Sequence, residues 1–274
     1  MIKRQLTKNV AMGMLVSVGV FAGCAPKVEV ADQQSALCAH GDKPTSGAVS
    51  VSQDADGSVV LASFYKTLTN NLDCVTQTAG SCSLELCTGT AGARTQKNFS
   101  AGTIHVTGDT SFDLLPTPPN GYPISSVGGA FWNAATGHDP VTVTADGDEV
   151  PGFSVHLHGP KAVTMVTPPA GTEDLSLDPS GDITFEWTGG TGDIEATVQG
   201  FNNTGNGFAT VKCDVPAAAG TVVVPAQMLS QVALWSASAL LSQSTHKVIQ
   251  RNGVPMTVEL KLTPVSAFVD APFP

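Results

Sequence analysis

The chain has 274 residues, 42% hydrophobic and 13% charged, with 23 acids against 13 bases, a formal net charge of −10 and a pI near 4.8. Such a surface repels nucleic acid phosphates and anionic lipid headgroups, so a nucleic-acid partner is disfavoured. The 28 Gly and 18 Pro residues mark many tight turns without reaching a disordered composition, and the length suffices for one large core or two modest ones.

Residues 1–23 read as an export signal. Lys3, Arg4 and Lys8 make a positive start with no acid, and an apolar run from Val10 to Ala22 follows. At about 13 residues, that run suits a signal peptide better than a membrane span. It ends in Phe21-Ala22-Gly23-Cys24, which resembles the bacterial lipobox, with Phe21 where that motif usually has Leu. The resemblance implies that Cys24 is acylated, becomes the first mature residue and anchors the protein. Two or three acyl chains hold a protein on a bilayer where one does so marginally. Ala25 after the cysteine, in place of Asp, implies the outer membrane in a cell that has one. The competing reading is an ordinary signal peptide cut near Ala22 or Ala25. Cleavage before Cys24 removes three bases, leaving 13 − 3 = 10 against 23 acids, a mature net charge of −13. No later stretch reaches 18 apolar residues, so nothing else is expected to cross a membrane.

Residues 24–45 read as a lipidated tether. Cys38, Cys74, Cys82 and Cys87 cluster, and Cys213 stands apart. In an oxidising compartment the four suggest two disulfides, with three possible connectivities. The pairing preferred here is Cys74–Cys82, closing a Thr-Gln-Thr-Ala-Gly turn, with Cys38–Cys87 pinning the tether. A zinc site is the rival, but the C-x-x-C spacing is missing. From residue 46 the pattern alternates as strands do. Val49 and Val51 oppose Ser50 and Ser52, and the Asp56-Gly57 turn leads to a run from Val59 to Tyr65. Further strands are expected at 83–86, 103–107, 112–115, 141–145, 153–157 and 161–166. The Pro- and Gly-rich stretch 116–140 reads as a long irregular connection.

Pro168-Pro169-Ala170-Gly171 marks the expected boundary between a disulfide-containing β domain, 46–166, and a second domain, 167–274. In the second, 183–187, 194–199, 211–215 and 258–262 alternate apolar with polar residues, the pattern of antiparallel strands with one buried face. One short helix is expected over 226–232. Residues 183–262 carry a strand ending in Trp187-Thr-Gly-Gly, a lone inward Cys213 and Ala-Gly-Thr-Val-Val-Val-Pro. They resemble immunoglobulin-like sandwich domains of uncharacterised bacterial surface lipoproteins. The resemblance implies an all-β chain of two β-sandwiches, the second immunoglobulin-like, and brings no activity with it. Cys213 lacks that family's partner cysteine, so it is expected to be a buried free thiol.

Candidate chemistry is sparse. His156 and His158 lie at i and i+2 on one strand, so both imidazoles project from the same face and could share a metal, with His105 as a third ligand. Two solvated histidines are the plainer reading. Asp54/Asp56, Asp146/Asp148/Glu149 and Asp178/Asp182 could ligate calcium, but they sit where turns want Asp, and none matches a twelve-residue calcium loop. Gly189-Gly190-Thr191-Gly192 precedes a strand and so is a turn, not a phosphate cradle. No G-x-S-x-G occurs. Trp187 shares the inward face of its strand, which leaves Trp132 and Trp235 as possible surface aromatics. Trp132, in the 116–140 region, is the one candidate ligand contact, and a local core plug is its plainer reading.

The expected function is that of a membrane-anchored envelope lipoprotein of structural or binding type, without catalysis or cofactor. Its partners would be the membrane through its lipid, and an envelope or surface protein or polysaccharide. A carbohydrate- or small-ligand-binding module using the 116–140 loop is the alternative, and an unrecognised hydrolase the second.

Overall fold

A computed structural model of the protein describes residues 43–54, 57–69, 73–88, 95–137, 139–167, 180–202, 204, 207–233 and 237–268. By contacts, residues 1–41 separate from residues 42–274, and the described residues all belong to the second unit. That unit is nearly all β. In chain order the strands are β1 (Ser46–Gln53), β2 (Ser58–Thr69), β3 (Asp73–Ala79), β4 (Cys82–Thr88), β5 (Thr95–Asn98), β6 (Ile104–Thr107), β7 (Ser111–Leu114), β8 (Ser125–Val127), β9 (Pro140–Ala145), β10 (Phe153–His158), β11 (Val163–Thr167), β12 (Ile183–Gly189), β13 (Asp193–Phe201), β14 (Gly207–Pro216), β15 (Thr221–Val224), β16 (Ser238–Arg251) and β17 (Val254–Phe268). A single helical turn, α1 (Ala226–Leu229), follows β15. Among the described residues no helix is long and apolar enough to cross a membrane.

One large sheet organises the fold, in the order β3-β4-β14-β13-β16-β17-β1-β2-β5, with β8 also on β2. Two smaller sheets, β10-β9-β6-β7 and β11-β12-β15, provide the opposing layers. The result is a pair of sandwich-like cores sharing one sheet. Val49, Val51, Val60, Phe64, Val258 and Leu260 share a core with Ile104, Val106, Val141, Val143, Phe153 and Val155 of the four-stranded sheet. At the other end, Leu84, Ile194, Ala196, Val198, Ala209, Val211 and Leu241 share a core with Met165, Phe185, Trp187, Val222 and Val224 of the three-stranded sheet. Period-two alternation produces this directly. β1 buries every second residue, Gly47, Val49, Val51 and Gln53, and leaves Ser46, Ala48, Ser50 and Ser52 half-buried on the other face.

The expected boundary at 166/167 does not divide this arrangement. The first core contains β17 from the end of the chain, and the second contains Cys82 and Leu84 of β4 from near its beginning. β1 lies parallel to β17, Gly47 opposite Met256 through Gln53 opposite Leu262. The long β16–β17 hairpin links the two halves. β16 pairs with β13 over Ser238–Ser244, and β17 pairs with β1 over Met256–Leu262. Its turn is Asn252-Gly253, with φ of 52° and 77°, the left-handed pair that matches strand twist. Residues 183–262 therefore do not build a self-contained immunoglobulin-like sandwich. Their strands are divided between two sheets, and β4 completes their core.

The disulfides differ from the expected pairing. Cys74 bonds to Cys87, and Cys82 bonds to Cys213. The reason is register. Residues 73–79 form a strand, and the two-residue turn Gly80-Ser81, with Gly80 at φ 61°, places Cys82 opposite Ala79 and Cys74 opposite Cys87. Cys82 faces the core and meets Cys213 directly across β4–β14. Cys213 is thus buried, as expected, but is not a free thiol. Cys38 and Cys24 lie outside the described residues.

Two buried glutamines satisfy backbone that no strand pairs. Gln53 donates through Nε2 to the Trp132 carbonyl at 3.0 Å, and its Oε1 accepts from Phe131 N–H at 2.9 Å and Trp132 N–H at 3.4 Å. Gln243, fully buried, donates to the Lys161 and Thr191 carbonyls and accepts from Val163 N–H. A side-chain amide carries both donor and acceptor, so it can stand in for a missing strand. Accordingly, no buried side-chain polar atom among the described residues lacks a partner.

Candidate binding surface

Of the two readings of Trp132, the structure shows the core plug and not the ligand contact. The residue is fully buried, its Nε1–H donates to the Pro160 carbonyl at 3.2 Å, and its indole occupies the space a Cβ on Gly159 would need. It plugs the first core where the 116–140 segment crosses it. Two other points of that segment are tied down as well. The Tyr122 hydroxyl donates to the Gly102 carbonyl and accepts from Ala101 N–H, and Ser125–Val127 pairs with β2. Trp187 is buried as expected, donating to the Ala217 carbonyl at 2.7 Å. Trp235 lies outside the described residues.

The histidines lie on the outer face of the four-stranded sheet without converging. His156 is exposed, with Thr142 Oγ1 at 2.9 Å from its Nδ1. His105 pairs with Thr144 on β9, which pairs with Ser154 on β10. Two strand spacings therefore separate it from the β10 histidines, about 10 Å laterally. Among the described residues, three His, Cys, Asp or Glu ligand atoms come within 4.8 Å of one another only at Cys74, Glu85 and Cys87, where both sulfurs are already bonded to each other.

His105 has a different role. Asp113 Oδ1 lies 2.7 Å from its Nδ1 and Asp146 Oδ1 lies 3.2 Å from its Nε2. Both ring nitrogens can donate only when the imidazole is protonated, so the hydrogen bond to Asp113, aided by that to Asp146, holds the His105 pKa above its usual 6.5. The partial burial of the ring opposes this and does not reverse it. The sign follows from linkage. The stabilisation is complete below about pH 6.5 and is lost as pH rises through the raised folded-state pKa. With all three groups more than a third exposed, solvent screening keeps the effect small. NMR titration of the full chain is expected to give His105 a midpoint above 6.5 that falls in Asp113→Asn. A wild-type midpoint at or below 6.5 would contradict the clamp.

Several acidic-turn carboxylates already hold protein donors. Asp54 Oδ1 accepts from Gly57 N–H at 3.0 Å within its own turn. Glu149 Oε2 accepts from Ser100 N–H at 2.9 Å and Asn120 Nδ2 at 2.7 Å, and Asp182 Oδ1 from Ala226 N–H at 2.8 Å, so these two tie their turns to distant parts of the chain. On the outer face of the large sheet, Glu195 stands opposite Asp214 and within 3.4 Å of Lys212 Nζ. Burial of its carboxyl, then the facing Glu195, raises the Asp214 pKa.

The same outer face carries the feature that tryptophan counting did not anticipate. Phe201 and Phe208 are directly opposed across β13–β14, their rings near-parallel at 23° and 5.6 Å between centroids. They remain 39% and 42% exposed. With Gln199, Gly200, Thr210 and Ser238 they line a shallow depression of about 460 Å³. The row continues outward from Phe208 to Cys87 and its disulfide partner Cys74, which ties the edge strand β3 to β4 beside the rings. Gln199 and Thr210 face each other one row along, with Glu85 next to Thr210. The signal was present in the sequence. Phe201 shares the parity of Glu195, Thr197 and Gln199, and Phe208 that of Lys212 and Asp214, all outward positions.

No protein-family model matches the chain, and neither does the sequence of any curated protein.

Proposed function

We propose that this protein is a lipid-anchored cell-envelope protein of binding or structural type, attached through Cys24, with the β body of residues 42–274 as its working part. The observation that carries the reading is the pair of cross-strand disulfides, Cys74–Cys87 and Cys82–Cys213. Such bonds form and persist in oxidising compartments outside the cytoplasm. They agree with the positively charged, apolar start of the chain and the lipobox-like Phe21-Ala22-Gly23-Cys24. A net charge of −13 after cleavage, from 10 bases and 23 acids, keeps the body off anionic headgroups, so attachment falls to the acyl chains. Proteins or polysaccharides of the envelope are the partners within reach, and outer-membrane attachment is the expected destination.

The test is metabolic labelling of cells with a palmitate analogue, followed by membrane fractionation. Wild-type protein is expected to take up label and sediment with membranes, and Cys24→Ala to lose both. Label persisting in Cys24→Ala, or none in the wild type, would refute the anchor.

A further inference from the structure

We infer that the Phe201–Phe208 depression is a binding site for a neutral pyranose glycan. The inference rests on the reading of the protein as an envelope protein and deepens it by naming the ligand class. Aromatic faces carry negative charge density, and the C–H-rich face of a pyranose presents weakly positive hydrogens to it. Phe201 and Phe208 stack on each other and stay 39% and 42% exposed, so the parts of the rings not turned to each other offer such a surface. Around them are an amide on Gln199 and hydroxyls on Thr210 and Ser238, which can both donate to and accept from sugar hydroxyls. No ionisable side chain is among the residues lining the depression. Glu85, across from Thr210 on β4, is an acceptor for further sugar hydroxyls.

Three further observations narrow the class. The volume of about 460 Å³ is within the range of small-ligand sites and too shallow to enclose a ligand wholly, which suits a segment of a longer polymer. Phe201, Gln199, Phe208 and Thr210 lie on paired strands, and the Cys74–Cys87 disulfide fixes the neighbouring edge, so little ordering accompanies binding. The chain's net charge of −10 disfavours polyanionic polysaccharides at equal contact chemistry.

The experiment is affinity electrophoresis of the full-length protein in detergent through native gels containing a neutral β-glucan, arabinoxylan or galactomannan, with polygalacturonate as the anionic comparison. At least one neutral polymer is expected to retard the protein, and polygalacturonate is not. Phe201→Ala/Phe208→Ala and, separately, Gln199→Ala should weaken that retardation at least tenfold, while Val248→Ala, exposed on the outer face of β16, leaves it unchanged. Circular dichroism melts check that the variants remain folded. Gln199→Ala, which removes only an exposed amide, keeps the test decisive if the double variant does not fold. No retardation by any neutral polymer, retardation equal in wild type and folded variants, or retardation only by polygalacturonate overturns the proposal. Capture of a protein through the Phe pair without polysaccharide retardation does so too. The palmitate experiment reads the anchor independently, so loss of the glycan site leaves that reading standing.

Discussion

Removing the buried cross-link with Cys82→Ala/Cys213→Ala is expected to lower unfolding free energy by about 4–5 kcal/mol under non-reducing conditions. The bond joins residues 131 apart in sequence, and closing so long a loop restricts the unfolded chain far more than it restricts the folded one. Its sulfurs belong to residues that are 4% and 0% exposed and sit in the second core, so loss of packing adds to loss of the constraint. The bond also connects β4 to a strand that follows it only much later in the chain. Cys74–Cys87 closes a separation of only 13 residues, so Cys74→Ala/Cys87→Ala is expected to cost about 3 kcal/mol. Urea titrations of the two double variants compare them directly. Equal midpoints, or a smaller loss for Cys82→Ala/Cys213→Ala, would contradict the assignment of the longer bond as the main constraint.

Trp132→Ala is the other large effect, about 3–5 kcal/mol. The indole is fully buried against Gly159 and leaves a cavity when removed, because Gly159 has no side chain to fill the space. The Pro160 carbonyl loses its donor in the same change, and an unsatisfied buried acceptor costs about 1–3 kcal/mol of that range. Trp132→Phe keeps much of the volume and loses the hydrogen bond, so its cost should fall between wild type and alanine. Thermal and urea denaturation measure this order. A loss under about 1 kcal/mol in Trp132→Ala would mean that the residue is not the plug the packing indicates. Any loss of glycan binding in this variant should track the loss of folded protein, since the Phe201–Phe208 depression lies in the other half of the shared sheet.

Strands with one buried face are legible in the sequence. Alternation predicts β1, β10, β12, β13, β14 and β17, and their described side chains alternate in burial apart from Thr197 on β13, as do those of β9. The strands missed are those without that signature. β3 is Asp-Cys-Val-Thr-Gln-Thr-Ala, mostly exposed along an edge, and without it the cysteine register could not be read. β16 carries polar residues at both parities, among them Gln243, which is buried as a backbone partner. The Asn252-Gly253 turn was a legible marker of the β16–β17 hairpin all the same.

The candidate site divides in a similar way. For Trp132 the sequence leaves two readings, ligand contact and core plug, because composition cannot tell a Pro- and Gly-rich loop that covers a core from one that faces solvent. The outward positions of Phe201 and Phe208 follow from parity along each strand. Their adjacency follows from the pairing of β13 with β14, and the neighbouring disulfide from the pairing of β14 with β4.

By itself, then, the sequence determined the all-β class and the inward face of most strands, because alternation is a local property that each segment carries without reference to its neighbours. Lys3, Arg4 and Lys8, the apolar run after them and the residues before Cys24 likewise set the export expectation locally. Only the tertiary structure decided which strands are neighbours. It set β1 parallel to β17, brought Cys82 to Cys213, closed the core over Trp132 and left two phenylalanines exposed side by side. Each of these depends on residues far apart in the chain meeting across a sheet or a core, and a period of two specifies which face a side chain takes, not which strand it will face.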